Sequence, residues 1–162
     1  MGQLFFDESV ILLDLAADSK EEVLNKMGSN LVDLDLVKES FIPAIIQREA
    51  EFATGLPTAG VSVAIPHTDV EHVINKTISV AILKKPVDFV IMGDDIETTP
   101  VQLVFMLAMD EAHSQLSLLQ KLMAMFQNED LLKRLVSLAD KTEIKNVLEE
   151  NLGFLAFEGG ER

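Results

Sequence analysis

Of the side chains able to do chemistry in this sequence, His67 has the most suggestive setting. It follows the alternating run Val61-Ser62-Val63-Ala64-Ile65 and then Pro66. An alternating apolar run reads as a strand, and proline ends its hydrogen-bond ladder, so the next residue is held just beyond the strand. That is where α/β sheets place their ligands. An imidazole there is suited to nucleophilic or acid–base work, although a lone histidine after a strand is also a common turn residue. Gly55 and Gly60, with Thr54 and Thr58 beside them, would let backbone N–H groups approach an anion next to His67, unless they form an ordinary connecting loop. Arg48 precedes that loop, and its planar fork matches a phosphate, the competing reading being a solvated surface arginine.

Other chemistries fit less well. The glycine spacing is similar to a nucleotide-binding P-loop, but Val61-Ser62 stands where lysine and serine or threonine are needed. The segment His67-Thr68-Asp69-Val70-Glu71-His72 carries potential metal ligands without a trustworthy ligand spacing, and no HExxH helix is present. A metal-dependent hydrolase is therefore a minor rival. His113 lies near the start of a helical pattern and could approach His67 only through the fold, so spacing leaves its use open.

The elements that must position these residues follow from periodicity. Val10–Leu13 reads as a first strand; Ser19-Lys20-Glu21-Glu22 is a capping-box pattern opening a helix with Val23, Leu24 and Met27 inward, which Gly28 can end. Between Leu34 and Phe52 the spacing is helical, with Pro43 dividing two helices or sitting in the first turn of the second, and Arg48 near that helix's end. Thr54–Gly60 reads as a loop. Thr77–Leu83, a weaker Val87–Met92 and the near-continuous apolar Val101–Met109 read as further strands, with a turn at Gly93-Asp94-Asp95. Leu116, Leu119, Leu122, Met123 and Phe126 mark a helix with Asp110 and Glu111 at its N-terminal end. Two more helices follow, with Asn128 and Thr142 as caps. The expected fold class is α/β: a mixed β-sheet of about five strands sandwiched between helices.

Composition narrows the partners. The chain has 162 residues, 48% of them apolar, and a mean hydropathy of +0.25, which predicts one folded domain over 1–157 and a disordered tail at 158–162. A net charge of −14 disfavours nucleic acid and means that a bound anion needs a local cation. Without cysteine there is no thiolate nucleophile, disulfide or zinc–thiolate site, as suits a reducing cytoplasm. No stretch approaches the roughly 20 apolar residues of a membrane span, and the N-terminus lacks signal-peptide features, so a cytoplasmic protein without direct membrane insertion is expected.

Arg48-Glu49-Ala50-Glu51-Phe52, Thr54-Gly55 and Val63-Ala64-Ile65-Pro66-His67-Thr68-Asp69 together carry a specific pattern. They resemble the fructose/mannitol-type enzyme IIA domains of the sugar phosphotransferase system, whose active-site signature is Arg-Glu, Thr-Gly and Ala-Ile-Pro-His. The likeness continues through Pro86-Val87-Asp88-Phe89, Val101–Phe105 and the region of His113, and so covers nearly the whole chain. Phe52-x-Thr54-Gly55-Leu56, His67-Thr68-Asp69, Phe89-x-x-Met92-Gly93 and Leu118–Met123 are most similar to the galactitol-specific branch. One departure is Gly60-Val61-Ser62, where many members carry a second glycine-like approach to the strand.

The resemblance implies a phosphorylated His67, a supporting His113, a phosphate-facing Arg48, and Thr54 and Gly55 shaping the pocket, with no cofactor and no metal. It also implies HPr as phosphoryl donor and a cysteine of the cognate enzyme IIB as acceptor, and through that protein a link to membrane enzyme IIC. Leu56, Val70 and Val73 are candidates for a docking rim. A regulatory protein of the nitrogen-related type, acting by phosphorylation-dependent binding, is the alternative within the same fold.

Overall fold

The computed structural model describes residues 4–152, so the tail expected at 158–162 lies outside the described residues. Five strands form one mixed sheet: β1 Ile11–Leu15, β2 Gly55–Leu56, β3 Ser62–Ala64, β4 Thr77–Val90 and β5 Thr98–Ala108, in the order β1-β4-β5-β3-β2. β1 runs parallel to β4 and β3 parallel to β5, while β4–β5 and β2–β3 are antiparallel. The α-helices among the described residues are α1 Lys20–Asp33, α2 Phe41–Glu51, α3 Ala112–Met125, α4 Glu129–Ser137 and α5 Lys141–Leu152. From Leu103 to Ala108 every β5 side chain is buried. Neighbouring strand side chains point to opposite faces, so both faces of this central strand are covered, the sandwich that its apolar run predicts.

Several local signals act as expected. Ser19 Oγ accepts from Glu22 N–H at 3.1 Å, capping α1, and Asn128 Oδ1 accepts from Leu131 N–H at 3.1 Å, capping α4. Pro43 sits in the first turn of α2, where a missing N–H costs no helical bond. Gly93 turns the chain with φ +83°, while the Asp94 carboxylate accepts from the next three backbone N–H groups.

Other elements differ from expectation for identifiable reasons. α1 does not stop at Gly28 but runs to Asp33. A Cβ on Gly28 would sit 3.0 Å from Ile42 Cγ1, so this glycine serves the close approach of α1 and α2. The true stop is Asp35 in the left-handed region at φ 60°, with Leu36 N–H on Leu31 C=O and Asp35 N–H on Val32 C=O, a Schellman closure made without glycine. The two strands expected at 77–83 and 87–92 are one strand, β4. Ile82 pairs with Leu103 and Val87 with Val101, so the segment between them bulges from the ladder, and Pro86, lacking an N–H, lies in the bulge. Val10 belongs to a short 3-10 turn, Glu8–Val10, ahead of β1. At the start of α5, Asp140 Oδ1 rather than Thr142 caps, accepting from Thr142 N–H at 2.9 Å.

Helix α3 is rotated from its expected face. Leu118, Leu122 and Met125 are buried, whereas Leu116 is 55% and Met123 38% exposed. Two apolar stripes overlap on this helix, and packing selects one of them. Phe126, just past its end, is buried and meets Phe105 with ring centroids 5.5 Å apart.

Candidate functional site

His67 follows β3 in a turn pinned on both sides. Ile65 N–H donates to Thr54 Oγ1 at 3.1 Å, and Pro66 C=O accepts from Leu107 N–H on β5 at 3.0 Å. The His67 ring completes the turn by placing Nδ1 2.8 Å from Ile65 C=O. A carbonyl oxygen only accepts, so Nδ1 carries the proton and Nε2 of the neutral ring keeps its lone pair. Burial lowers the His67 pKa below its ordinary value; the Ile65 bond opposes this and the positive charge of Arg48 adds to it. The result is a half-buried, neutral imidazole with a single nucleophilic nitrogen, fixed in orientation by the backbone.

The residues on the far side of the pin come from α2 and from the connection that leads from it into β2. Thr54 is 4% exposed, and both its groups face Glu49: Thr54 N–H donates to Glu49 Oε2 and Thr54 Oγ1 to Glu49 Oε1, each at 2.8 Å. Glu49 is itself only 2% exposed. Burial pushes its carboxyl up to about 7, against the two Thr54 bonds and the charge of Lys20, which lower it. In the sequence Glu49 stands only as the second member of the Arg-Glu pair, with no role of its own. The signal was present: Phe41, Ile45 and Glu49 are the buried positions of α2, so a carboxylate lies on the helix's inward stripe.

Gly55 pairs with Ala64 in the short antiparallel ladder of β2 and β3, where a loop is expected. A Cβ there would meet Val90 C=O at 2.6 Å and Phe89 Cβ at 3.1 Å, so the neighbouring strand admits only glycine. Gly55→Ala is expected to destabilise the protein by about 2 kcal/mol through overpacking, seen as a lower urea midpoint at unchanged m. The expected backbone cradle for an anion is largely occupied from within. Thr54 N–H is taken by Glu49, while Gly60 and Val61 N–H both donate to Thr58 Oγ1 at 3.1 Å. Gly60 also packs against Glu129 at the start of α4.

Arg48 sits in the last turn of α2 with its guanidinium 4.6 Å from the Phe52 ring centroid, a cation–π contact that orients the fork. Its Nε is buried without a hydrogen-bond partner, and among the described residues the side chain makes no ion pair. It lines a cleft of about 460 Å³ with Ser40, just before α2, and with Thr68, Asp69 and His72 from the segment that follows His67. His67 does not line this cleft, but the positive charge of Arg48 reaches its ring and adds to the lowering of its pKa.

His113 lies in the first turn of α3 and is exposed. β3 and β5 are parallel neighbours, so the connections bearing His67 and His113 leave the same edge of the sheet. Among the described residues no hydrogen bond joins the two rings. His72 turns away from the metal reading, with Nδ1 2.8 Å from Ser40 Oγ, and no described cluster of His, Asp and Glu has the geometry to hold a metal ion. Leu56 and Val73 of the candidate rim are half-buried and pack on the core; Val70 begins a short 3-10 turn, Val70–His72.

Residues 4–151 match the family described as phosphoenolpyruvate-dependent sugar phosphotransferase system, EIIA 2. The galactitol-specific EIIA component of Escherichia coli K12 is 30% identical over 145 residues, covering 90% of this chain and 92% of that protein. The mannitol-specific enzyme IIA component of Staphylococcus aureus N315 is 31% identical over 153 residues, covering 93% of this chain and 98% of that one. Among solved structures, IIA mannitol from E. coli superposes with a TM-score of 0.68 at 26% identity, covering 90% of this chain and 99% of that one.

Proposed function

The chain belongs to the EIIA 2 family of the phosphoenolpyruvate-dependent sugar phosphotransferase system, and on that premise we propose that His67 Nε2 is its phosphoryl acceptor. A component of this system relays a phosphoryl group and does not turn over sugar by itself. The observation that carries the assignment of His67 is the 2.8 Å bond from Nδ1 to Ile65 C=O, which leaves Nε2 as the nucleophile.

The donor is the phosphohistidine of HPr. As Nε2 approaches in line, a new N–P bond forms on one side of phosphorus while the donor's N–P bond breaks, its electron pair returning to the donor imidazole. Charge spread over the three equatorial oxygens needs donors already in place, since such a transition state is stabilised chiefly by position and electrostatics. Arg48 supplies the fork, and His113, from the neighbouring connection, is the second donor. The thiolate of a cysteine on enzyme IIB then attacks phosphorus, the His67 N–P bond breaks and the ring recovers its lone pair. Galactitol is the sugar we place at the end of the relay, through membrane enzyme IIC. Among the described residues no helix is long and apolar enough to cross a membrane, and the relay proposed here runs in the cytoplasm.

The test is to mix the chain with phosphoenolpyruvate, enzyme I and HPr, and then with candidate enzyme IIB proteins. Acid-labile, alkali-stable label should appear on the chain and move to the galactitol-specific enzyme IIB. Transfer to a different sugar's enzyme IIB would replace the sugar assignment. Labelling with no transfer to any of them would favour a regulatory protein.

A further inference from the structure

We propose that Glu49 is a positioning residue for phosphoryl transfer, its carboxylate acting through Thr54 and the Ile65 backbone to hold the His67 ring with Nε2 presented. The inference rests on the reading of His67 as the acceptor.

The connection is continuous and each step has a direction. Ile65 N–H donates to Thr54 Oγ1, and the single hydroxyl hydrogen of Thr54 goes to Glu49 Oε1. Thr54 N–H goes to Glu49 Oε2. With its hydrogen committed to Glu49, the Thr54 oxygen can only accept from Ile65, and this fixes the residue whose carbonyl receives His67 Nδ1–H. Pro66 transmits the constraint, because its ring holds φ near −65° between the pinned residue and the histidine. Both Glu49 oxygens accept, so the ionised carboxylate is the form that completes the relay. A proton on Oε2 would set a donor against the Thr54 N–H, and one on Oε1 could donate to the Thr54 hydroxyl and release its hydrogen from Glu49, so either removes the fixed direction of the relay.

Packing alone does not explain a glutamate here. The stripe of α2 that carries it is otherwise Phe41 and Ile45, and an apolar residue would fill the position without a buried carboxylate's desolvation cost. The charged groups around the relay are Lys20 at the start of α1, Arg48 beside Glu49 on α2, and His67 at the far end. Because burial raises the Glu49 carboxyl from 4.5 to about 7, the relay switches on as pH rises through neutrality. The folded state then binds more protons than the unfolded state across that window. Stability present at low pH is therefore lost between pH 4.5 and about 7, while the competent form is gained.

The experiment compares Glu49→Gln, Thr54→Val and Thr54→Ser with the unaltered full chain, measuring single-turnover transfer from phospho-HPr against pH and the His67 tautomer by nitrogen-15 NMR. Glu49→Gln and Thr54→Val should each slow transfer about 10- to 100-fold, loosen the Nδ1–H preference of His67 and flatten the pH profile near neutrality. Thr54→Ser keeps both donors and should retain the rate. Glu49→Gln should also lose the fall in melting temperature between pH 4.5 and about 7. If Glu49→Gln does not fold, the Thr54→Val and Thr54→Ser pair decides. Wild-type rate, tautomer and pH profile in the folded Glu49→Gln or Thr54→Val protein would overturn the proposal. Label that persists in His67→Ala would instead overturn the reading on which it rests.

Discussion

His67→Ala is expected to abolish phosphoryl acceptance, lowering the single-turnover rate from phospho-HPr by more than about 10³-fold, to the background of the assay. No neighbouring side chain takes over the role. His113 is exposed on a separate connection, and His72 Nδ1 is engaged by Ser40 at 2.8 Å, with Nε2 directed at the Glu71 carboxylate 3.8 Å away. The substitution should leave the circular dichroism spectrum unchanged. It removes one half-buried ring and one hydrogen bond to Ile65, a loss of about 1 kcal/mol that a core of this extent tolerates. An unaltered rate in the folded variant would contradict the assignment.

The second large effect is at Arg48, where charge and shape can be separated. Arg48→Gln should slow transfer by about 10²-fold through loss of a fixed donor to the transferring oxygens. It should also raise the titration midpoint of His67, because the positive charge that helps depress that pKa is gone, although burial still holds it down. Arg48→Lys keeps the charge but not the planar fork or its fit over Phe52, 4.6 Å away. The lysine variant should therefore keep the low His67 midpoint yet lose most of the rate. Equal rates in Arg48→Lys and the wild type would mean that only the local field matters.

Much of the scaffold was legible because some signals are local. Ser19 and Asn128 cap helices through bonds to residues three positions on, and the apolar run of β5 needs only its own composition to read as a strand covered on both faces. That His67 and Arg48 serve one site is what the motif resemblance implies, and the influence of the Arg48 charge on the His67 ring is consistent with it. What escaped depends on neighbours distant in sequence. Gly28 reads as a helix stop until Ile42 is seen against it, and Pro86 reads as a strand break until β5 is seen to continue opposite the bulge. The face of α3 is decided by tertiary packing, which buries Leu118, Leu122 and Met125 of its overlapping apolar positions. Glu49 lay on the inward stripe of α2 in plain view, but its relay through Thr54 crosses to β3 and becomes visible only once Ile65 is in place.

The most direct measurement is the site of the phosphoryl group on the ring, read by nitrogen-15 and phosphorus-31 NMR of the chain phosphorylated through HPr. With Nδ1–H held by Ile65 C=O, phosphorus should couple to Nε2 of His67, while His72 and His113 keep the spectra of unmodified imidazoles. Phosphorus on Nδ1 of His67, or on either of the other two histidines, would contradict this mechanism.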